Sequence, residues 1–300
     1  MLGFRRIELS DKTWVEPLLA KGNQRGSEYT FSNNFIYRKI YSVEIAQMDQ
    51  YYIVFAGRND ENYTPSYLYP SGSGDIKPVI QALRQDAKRR GIAFRMHGIT
   101  NENQALIETL FPDEFDFTPT RDSFDYIYKS ESLITLSGKK LHSKRNFINR
   151  FKTVNEGNWS YEAITPENLD ECWKMNVLWC EKYGCGEDPE LMEEACAVRN
   201  CFNNFQALGL LGGLLRLDGK IVAFTMGRPL NSDTFIVHIE KAFSDVPGAY
   251  PMINQQFVTH NCADFEYVNR EDDVGDEGLR KAKLSYKPAI LLEKFALTEK

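Results

Sequence analysis

The hydrophobic pattern switches repeatedly between a helical period and a strand period. Helical spacing predicts helices near 11–21 and 29–36. Strict alternation then predicts a hairpin, 41–46 and 51–56, turning at Met48-Asp49-Gln50. A short strand at 66–69 and the turn Pro70-Ser71-Gly72-Ser73-Gly74 lead to a helix over 76–90, which Gly91 should cap. A strand at 93–98, a helix over 102–110 and a strand at 123–129 complete this half. The second half runs in the same order. Helices near 166–183 and 189–206 precede a hairpin, 211–217 and 220–226, whose Asp218-Gly219 turn suits a tight two-residue loop. A strand at 234–240, a loop over 244–250, a helix over 251–263, a strand at 265–269, a short helix near 276–283 and a strand at 289–296 follow. The repeated order predicts an α+β chain with mixed sheets, built as two similar domains; a single irregular α+β domain is the alternative.

Length fits that division, because 300 residues exceed what most single cores hold. The expected domains are 1–136 and 156–300, joined by a helix over 137–155. Composition is that of an ordinary folded protein, with 42% hydrophobic and 26% charged residues, which excludes disordered and collagen-like classes. No run of about eighteen apolar residues exists, and the first residues lack a signal-peptide core, so a cytoplasmic protein is expected. Six cysteines show no C-x-x-C pair, and five of them fall between 172 and 201 at gaps of eight, five, eleven and five. That is poor zinc spacing, as are the four scattered histidines (97, 142, 238 and 260). No metal site is expected. P-loop, G-x-S-x-G and H-E-x-x-H motifs are absent, which removes the main support for nucleotide hydrolase, serine hydrolase and zinc protease readings.

Net charge is −6, so a polyanion would have to meet a local patch. The joining helix offers one. Between 137 and 155 stand six Lys or Arg and no acid, while Leu141, Phe147, Ile148, Phe151 and Val154 fall on one helical arc. Lys144 and Arg145 either snorkel past the core or face a cleft and bind a phosphate-like anion. A nucleic-acid binder using 139–152 would show steep salt dependence.

Several segments carry a resemblance: Thr30–Tyr37, Leu136–Phe151, Gly212–Gly227, Val237–Ala242 with Gly248-Ala249-Tyr250, and Tyr267–Gly275 running into Leu279–Pro288. Together they resemble a bacterial family of uncharacterised proteins related to the C-terminal catalytic domain of lysyl-phosphatidylglycerol synthase (phosphatidylglycerol lysyltransferase). The resemblance covers nearly the whole chain. It implies two tandem GNAT-like acyltransferase folds, as in the peptidoglycan bridge aminoacyltransferases. The membrane-spanning part of the lysyltransferase has no counterpart here.

Acyl transfer needs a donor site, an oxyanion donor and a group to deprotonate the nucleophile. Gly248, Ala249 and Tyr250 stand where GNAT-like folds place a donor's pyrophosphate, but one glycine beside Pro247 and Pro251 is a thin phosphate loop. This leaves room for aminoacyl-tRNA as donor beside coenzyme A thioesters. His238 and Glu240 share a sheet face, Glu240 as general base or amine-binding carboxylate and His238 as proton relay or packed histidine. Asn269, Arg270, Glu271 and Asp273, at a strand end, suit an ammonium-bearing acceptor. Lys283 and Lys287 stand out from the basic run that follows through the resemblance, and Tyr286 between them joins the acceptor-binding set with Lys283. The expected activity moves an acyl or aminoacyl group to an amine or hydroxyl on a small molecule, peptide or lipid headgroup. The rival is a non-catalytic binding or regulatory protein that keeps the fold.

Overall fold

The computed structural model of the protein describes residues 2–61, 63–187 and 189–300. The chain forms two compact units. The first comprises the chain up to Asp125 with Asp272–Asp276 and Leu291–Lys300; the second comprises Tyr126–Glu271 with Glu277–Ile290. The expected divisions at 136 and 156 therefore shift, for a physical reason. Strand Asp125–Lys129 pairs with Tyr267–Asn269 in the second unit's sheet, so the chain crosses over before 136. The last strand, Phe295–Glu299, pairs with Phe115–Pro119 and Arg95–Ile99 in the first. Each half thus contributes a strand to the other's sheet.

The repeat itself is present. In the first unit, hairpin Val43–Met48 and Tyr51–Ala56 is followed by strand Ser66–Leu68, helix Lys77–Arg90 and a strand, Arg95–Ile99, parallel to Ser66–Leu68. In the second, hairpin Leu211–Leu217 and Lys220–Pro229 is followed by strand Thr234–Ala242, helix Ala249–Asn261 and the parallel strand Tyr267–Asn269. Among the described residues the two sheets have eight and seven strands, each mixing parallel and antiparallel pairs.

Local chemistry sets these elements as expected. Val79, Ile80, Leu83 and Ala87 form the buried stripe of helix Lys77–Arg90, which Gly91 ends at φ 69°. Asp218 and Gly219 both take positive φ, 48° and 76°, the geometry of a tight hairpin turn. Other expectations change. The helix over 189–206 is two, Pro189–Asn203 and Phe205–Leu208. The strand at 289–296 is also two, Ile290–Leu292 and Phe295–Glu299, with Lys294 between them. Its ammonium is buried and donates to Asp125 Oδ1 at 2.9 Å and Glu28 Oε1 at 2.7 Å. A buried lysine needs such carboxylates, and the break falls where the chain passes from one sheet to the other, Ile290–Leu292 lying in the seven-stranded sheet and Phe295–Glu299 in the eight-stranded one. No helix among the described residues is long and apolar enough to cross a membrane.

The joining helix, His142–Val154, belongs to the second unit. Leu141, Ile148 and Phe151 are buried, but Phe147 and Val154 are 48% and 71% exposed, so the apolar arc is narrower than the sequence suggests.

Candidate active site

Strand Thr234–Ala242 carries His238 and Glu240, but its pairing with Lys220–Pro229 is bulged, with Met226 opposite Ile239 and Gly227 opposite Val237, so His238 is an extra residue and the expected simple alternation does not put the two side chains on one face. The neighbouring parallel strand pairs Asn269 with Ile236, so the chain leaving it at Arg270 and Glu271 runs past those side chains. Helix Ala249–Asn261, the crossover between the two strands, supplies Asn254 from its otherwise apolar buried face.

Glu240 is the centre of this group. Arg270 Nη2 donates to its Oε1 at 2.7 Å, and Asn254 Nδ2 donates to its Oε2 at 2.9 Å. Both ionic side chains are almost buried, 13% and 11% exposed. Two polar atoms beside them are also buried and have no hydrogen-bond partner of good geometry among the described residues, Arg270 Nη1 and Asn254 Oδ1, although the Arg270 guanidinium also interacts with the Tyr286 phenol. One is a donor and the other an acceptor. Buried groups left open in this way are expensive.

Two cations share one aromatic ring. Lys144 Nζ lies 4.2 Å from the centroid of Tyr286, and the Arg270 guanidinium carbon lies 4.8 Å from it. Tyr128 packs edge-on against Tyr286. Burial lowers the Lys144 pKa, the positive charge of Arg270 lowers it further, and Glu240 partly opposes both. Burial raises the phenols of Tyr286 and Tyr250.

The short segment Asn269–Glu271 is held on several sides. Asn269 Oδ1 accepts the Glu271 N–H at 2.7 Å, and Lys283 Nζ donates to the Arg270 carbonyl at 2.7 Å. Tyr126 exchanges backbone hydrogen bonds with Arg270 and Glu271. His238 Nδ1 lies 2.7 Å from Glu271 Oε1, with the imidazole 1% exposed. Glu271 itself adopts φ 57°, a left-handed conformation that these contacts sustain. The result is a fixed guanidinium.

The sequence-predicted residues therefore separate. Glu240, Arg270, Lys144 and Tyr286 come together, with the half-buried Tyr250 close enough for Glu240's charge to reach its phenol. Asn269, Glu271, Lys283 and His238 support the segment that carries Arg270. Asp273 belongs to the first unit, where it accepts from Arg121 at 3.0 Å and from the Gly275 N–H. Arg145 donates to the carbonyls of Leu136 and Gly138, closing the turn before its own helix. Gly248 does not open onto a phosphate cradle on its Cβ side: a Cβ there would lie 2.6 Å from the Phe147 carbonyl oxygen. Its φ of 88° and this close approach serve the packing of helix Ala249–Asn261 on the basic helix, with Ala249 buried beside it. Asn254 and Tyr128 are additions. A carboxamide among Met252, Ile253, Phe257 and Val258 was the available signal for the first.

Among the described residues no three His, Cys, Asp or Glu side chains are grouped to hold a metal. A separate cavity of about 350 Å³, lined by Leu169, Asp170, Trp173, Arg199, Phe202 and Asn203, contains none of these residues.

Comparison with known proteins follows the same lines. A conserved protein of unknown function from Bacteroides thetaiotaomicron is 39% identical, with all of both chains covered and a TM-score of 0.95. L-PGS from Bacillus licheniformis is 17% identical over 98% of this chain and 92% of its own, with a TM-score of 0.66. FemX is 10% identical over 98% and 96%, with a TM-score of 0.59; these two likenesses show the fold alone. An uncharacterised protein of Mycoplasmoides gallisepticum is 26% identical over 177 residues, 58% of this chain, and the chain spans about half the length of that curated relative, 55%. Residues 19–298 match the family described as phosphatidylglycerol lysyltransferase, C-terminal, and the chain belongs to that family.

Proposed function

We propose that the second unit transfers an acyl or aminoacyl group from an activated donor to an amine or hydroxyl acceptor. The observation that carries this reading is the open Nη1 of Arg270, a fixed and buried donor next to a carboxylate. Such a donor would stabilise the oxyanion that forms when a nucleophile attacks a carbonyl carbon. Glu240 uses one lone pair on each oxygen for Arg270 and Asn254, which leaves further acceptor sites for the nucleophile's proton. Asn254 Oδ1 would accept from an ammonium or amide of the transferred group. Collapse of the tetrahedral species breaks the donor's C–O or C–S bond, and the half-buried Lys144, with its lowered pKa, would protonate the leaving atom.

The close packing at Gly248 favours an aminoacyl ester of tRNA over a coenzyme A thioester, because the glycine serves helix packing. Either donor would be met in the cytoplasm, which is the location this reading calls for. The acceptor falls among small molecules, peptides and lipid headgroups. The test is incubation of the purified protein with charged tRNAs and acyl-CoA compounds, beside R270K and E240Q. Transfer by the parent and its loss in both variants supports the reading. Binding without transfer in the parent would favour a regulatory protein that keeps the fold.

A further inference from the structure

The cavity of about 350 Å³ in the second unit shares no residue with the Glu240 group. Two helices build it. Helix Leu169–Tyr183 gives Leu169, Asp170 and Trp173, and helix Pro189–Asn203 gives Arg199, Phe202 and Asn203, so each set is spaced by one helical turn. Phe202 is buried and meets the half-buried Trp173 edge-on, with ring centroids 5.3 Å apart. The Arg199 guanidinium carbon lies 5.2 Å from the Trp173 ring centroid, which holds the charge over an apolar shelf. Asp170 brings the opposite charge to the same cavity. The two make no ion pair, and neither has another charged partner among the described residues. Other charges on these helices are paired: Glu171 with Arg216, Lys182 with Asp245, and Glu194 with Lys241.

We propose that this cavity binds a free α-amino acid with an apolar side chain, held as its zwitterion. An anion alone would satisfy Arg199 but face Asp170, and a cation alone would satisfy Asp170 but face Arg199. A ligand bearing both charges completes both, its carboxylate meeting the guanidinium fork and its ammonium the Asp170 carboxylate. The Asn203 amide can donate or accept beside them. Leu169, Trp173 and Phe202 would take an uncharged side chain. The volume, near the lower end for small-molecule sites, suits a single amino acid better than an oligopeptide. The inference is independent of the transfer reading, since it concerns an unactivated amino acid and a set of side chains other than those around Glu240 and Arg270.

The test is isothermal titration of the full chain with L-leucine, L-leucinamide, N-acetyl-L-leucine and glycine at about pH 7. Leucinamide lacks the carboxylate, N-acetyl-leucine the ammonium and glycine the apolar body. Leucine should bind with a Kd of about 1 mM or below. Each of the other three should bind about tenfold or more weakly. R199Q should remove the preference for leucine over leucinamide, and D170N the preference for leucine over N-acetyl-leucine. Both side chains are exposed, and circular dichroism checks that the fold is kept. The titration contains no activated donor, so its failure and that of the transfer reading are seen separately. No saturable binding of leucine would overturn the inference. So would binding that both variants leave unchanged, or equal affinity for leucine, leucinamide and N-acetyl-leucine, which would mark an apolar shelf that reads no charge.

Discussion

Arg270 gives one guanidinium nitrogen to Glu240 at 2.7 Å and keeps another, Nη1, buried beside the Tyr286 ring without a hydrogen bond of good geometry among the described residues. The same side chain is thus fixed by a carboxylate and available to a ligand. A guanidinium serving only as a structural ion pair would have both ends satisfied, as Arg216 does with Glu162 and Glu171.

That relationship predicts opposite signs for single and double changes. E240Q keeps the shape but leaves the Arg270 cation buried without its counter-charge, so it should cost about 3 kcal/mol in urea unfolding. E240Q/R270M removes both charges and should recover a large part of that loss. Transfer should fall by about 10²–10³ in R270K, because a lysine cannot hold Glu240 and reach an oxyanion together. Equal stability of E240Q and the parent would contradict the ion pair's geometry.

Gly248 separates packing from ligand binding. G219A meets only the strain of a positive φ in open space and should cost about 1 kcal/mol. G248A meets the same strain and a clash with the Phe147 backbone, so it should cost clearly more, about 2 kcal/mol or above. Thermal unfolding of the two variants side by side decides the matter. A harmless G248A that loses donor binding would restore Gly248 to a phosphate cradle.

What could be read in the sequence was what local chemistry decides. The Gly91 cap, the Asp218-Gly219 turn and the order of the two hairpins follow from neighbouring residues, and all lie where expected. Strand Phe115–Pro119 was missed because its Asp116 and Pro119 resemble loop residues, although its partner Phe295–Glu299 holds it as a strand. The exchange of strands between the halves depends on pairings across more than a hundred residues, which periodicity does not encode. The same holds for the site. Glu240 and Arg270 are thirty residues apart and meet only because their strands run parallel with Ile236 opposite Asn269. Charge density in 269–277 drew attention to the right segment, but it could not distinguish Arg270, which faces Glu240, from Asp273, which closes a loop in the other unit.

Acid sensitivity should arise in the first unit at His97. Its ring accepts or donates a hydrogen bond with Ser66 Oγ at 2.9 Å. Burial, aided by the charge of Lys294, holds its pKa down at about 4. The unfolded chain takes up the proton near pH 6.5, so stability falls as pH drops from there to about 4, by up to about 3 kcal/mol. H97N keeps a polar partner for Ser66 without titrating. The difference in unfolding free energy between parent and H97N should change across that window and stay level above it. A flat difference from pH 7 to 4 would remove His97 as the cause.

Lys144 should act at the alkaline end with its own sign. Burial and the neighbouring Arg270 hold its pKa below the ordinary lysine range. Between that lowered value and about 10.4 the unfolded chain binds the proton while the folded chain does not. Stability relative to K144M should therefore rise with pH through this window, and the penalty on the folded state should be fully present below it. Urea unfolding of the two proteins from neutral to alkaline pH measures the difference directly. A lysine held charged by Glu240 alone would give the reverse slope, because its pKa would lie above that of the unfolded chain. Activity supplies an independent readout. If Lys144 protonates the leaving atom, K144M should lower kcat more than it raises KM, and the alkaline limb of the parent's pH–rate profile should disappear in the variant. Loss of the rising stability together with an unchanged profile would leave Lys144 as a binding cation and remove it from proton transfer.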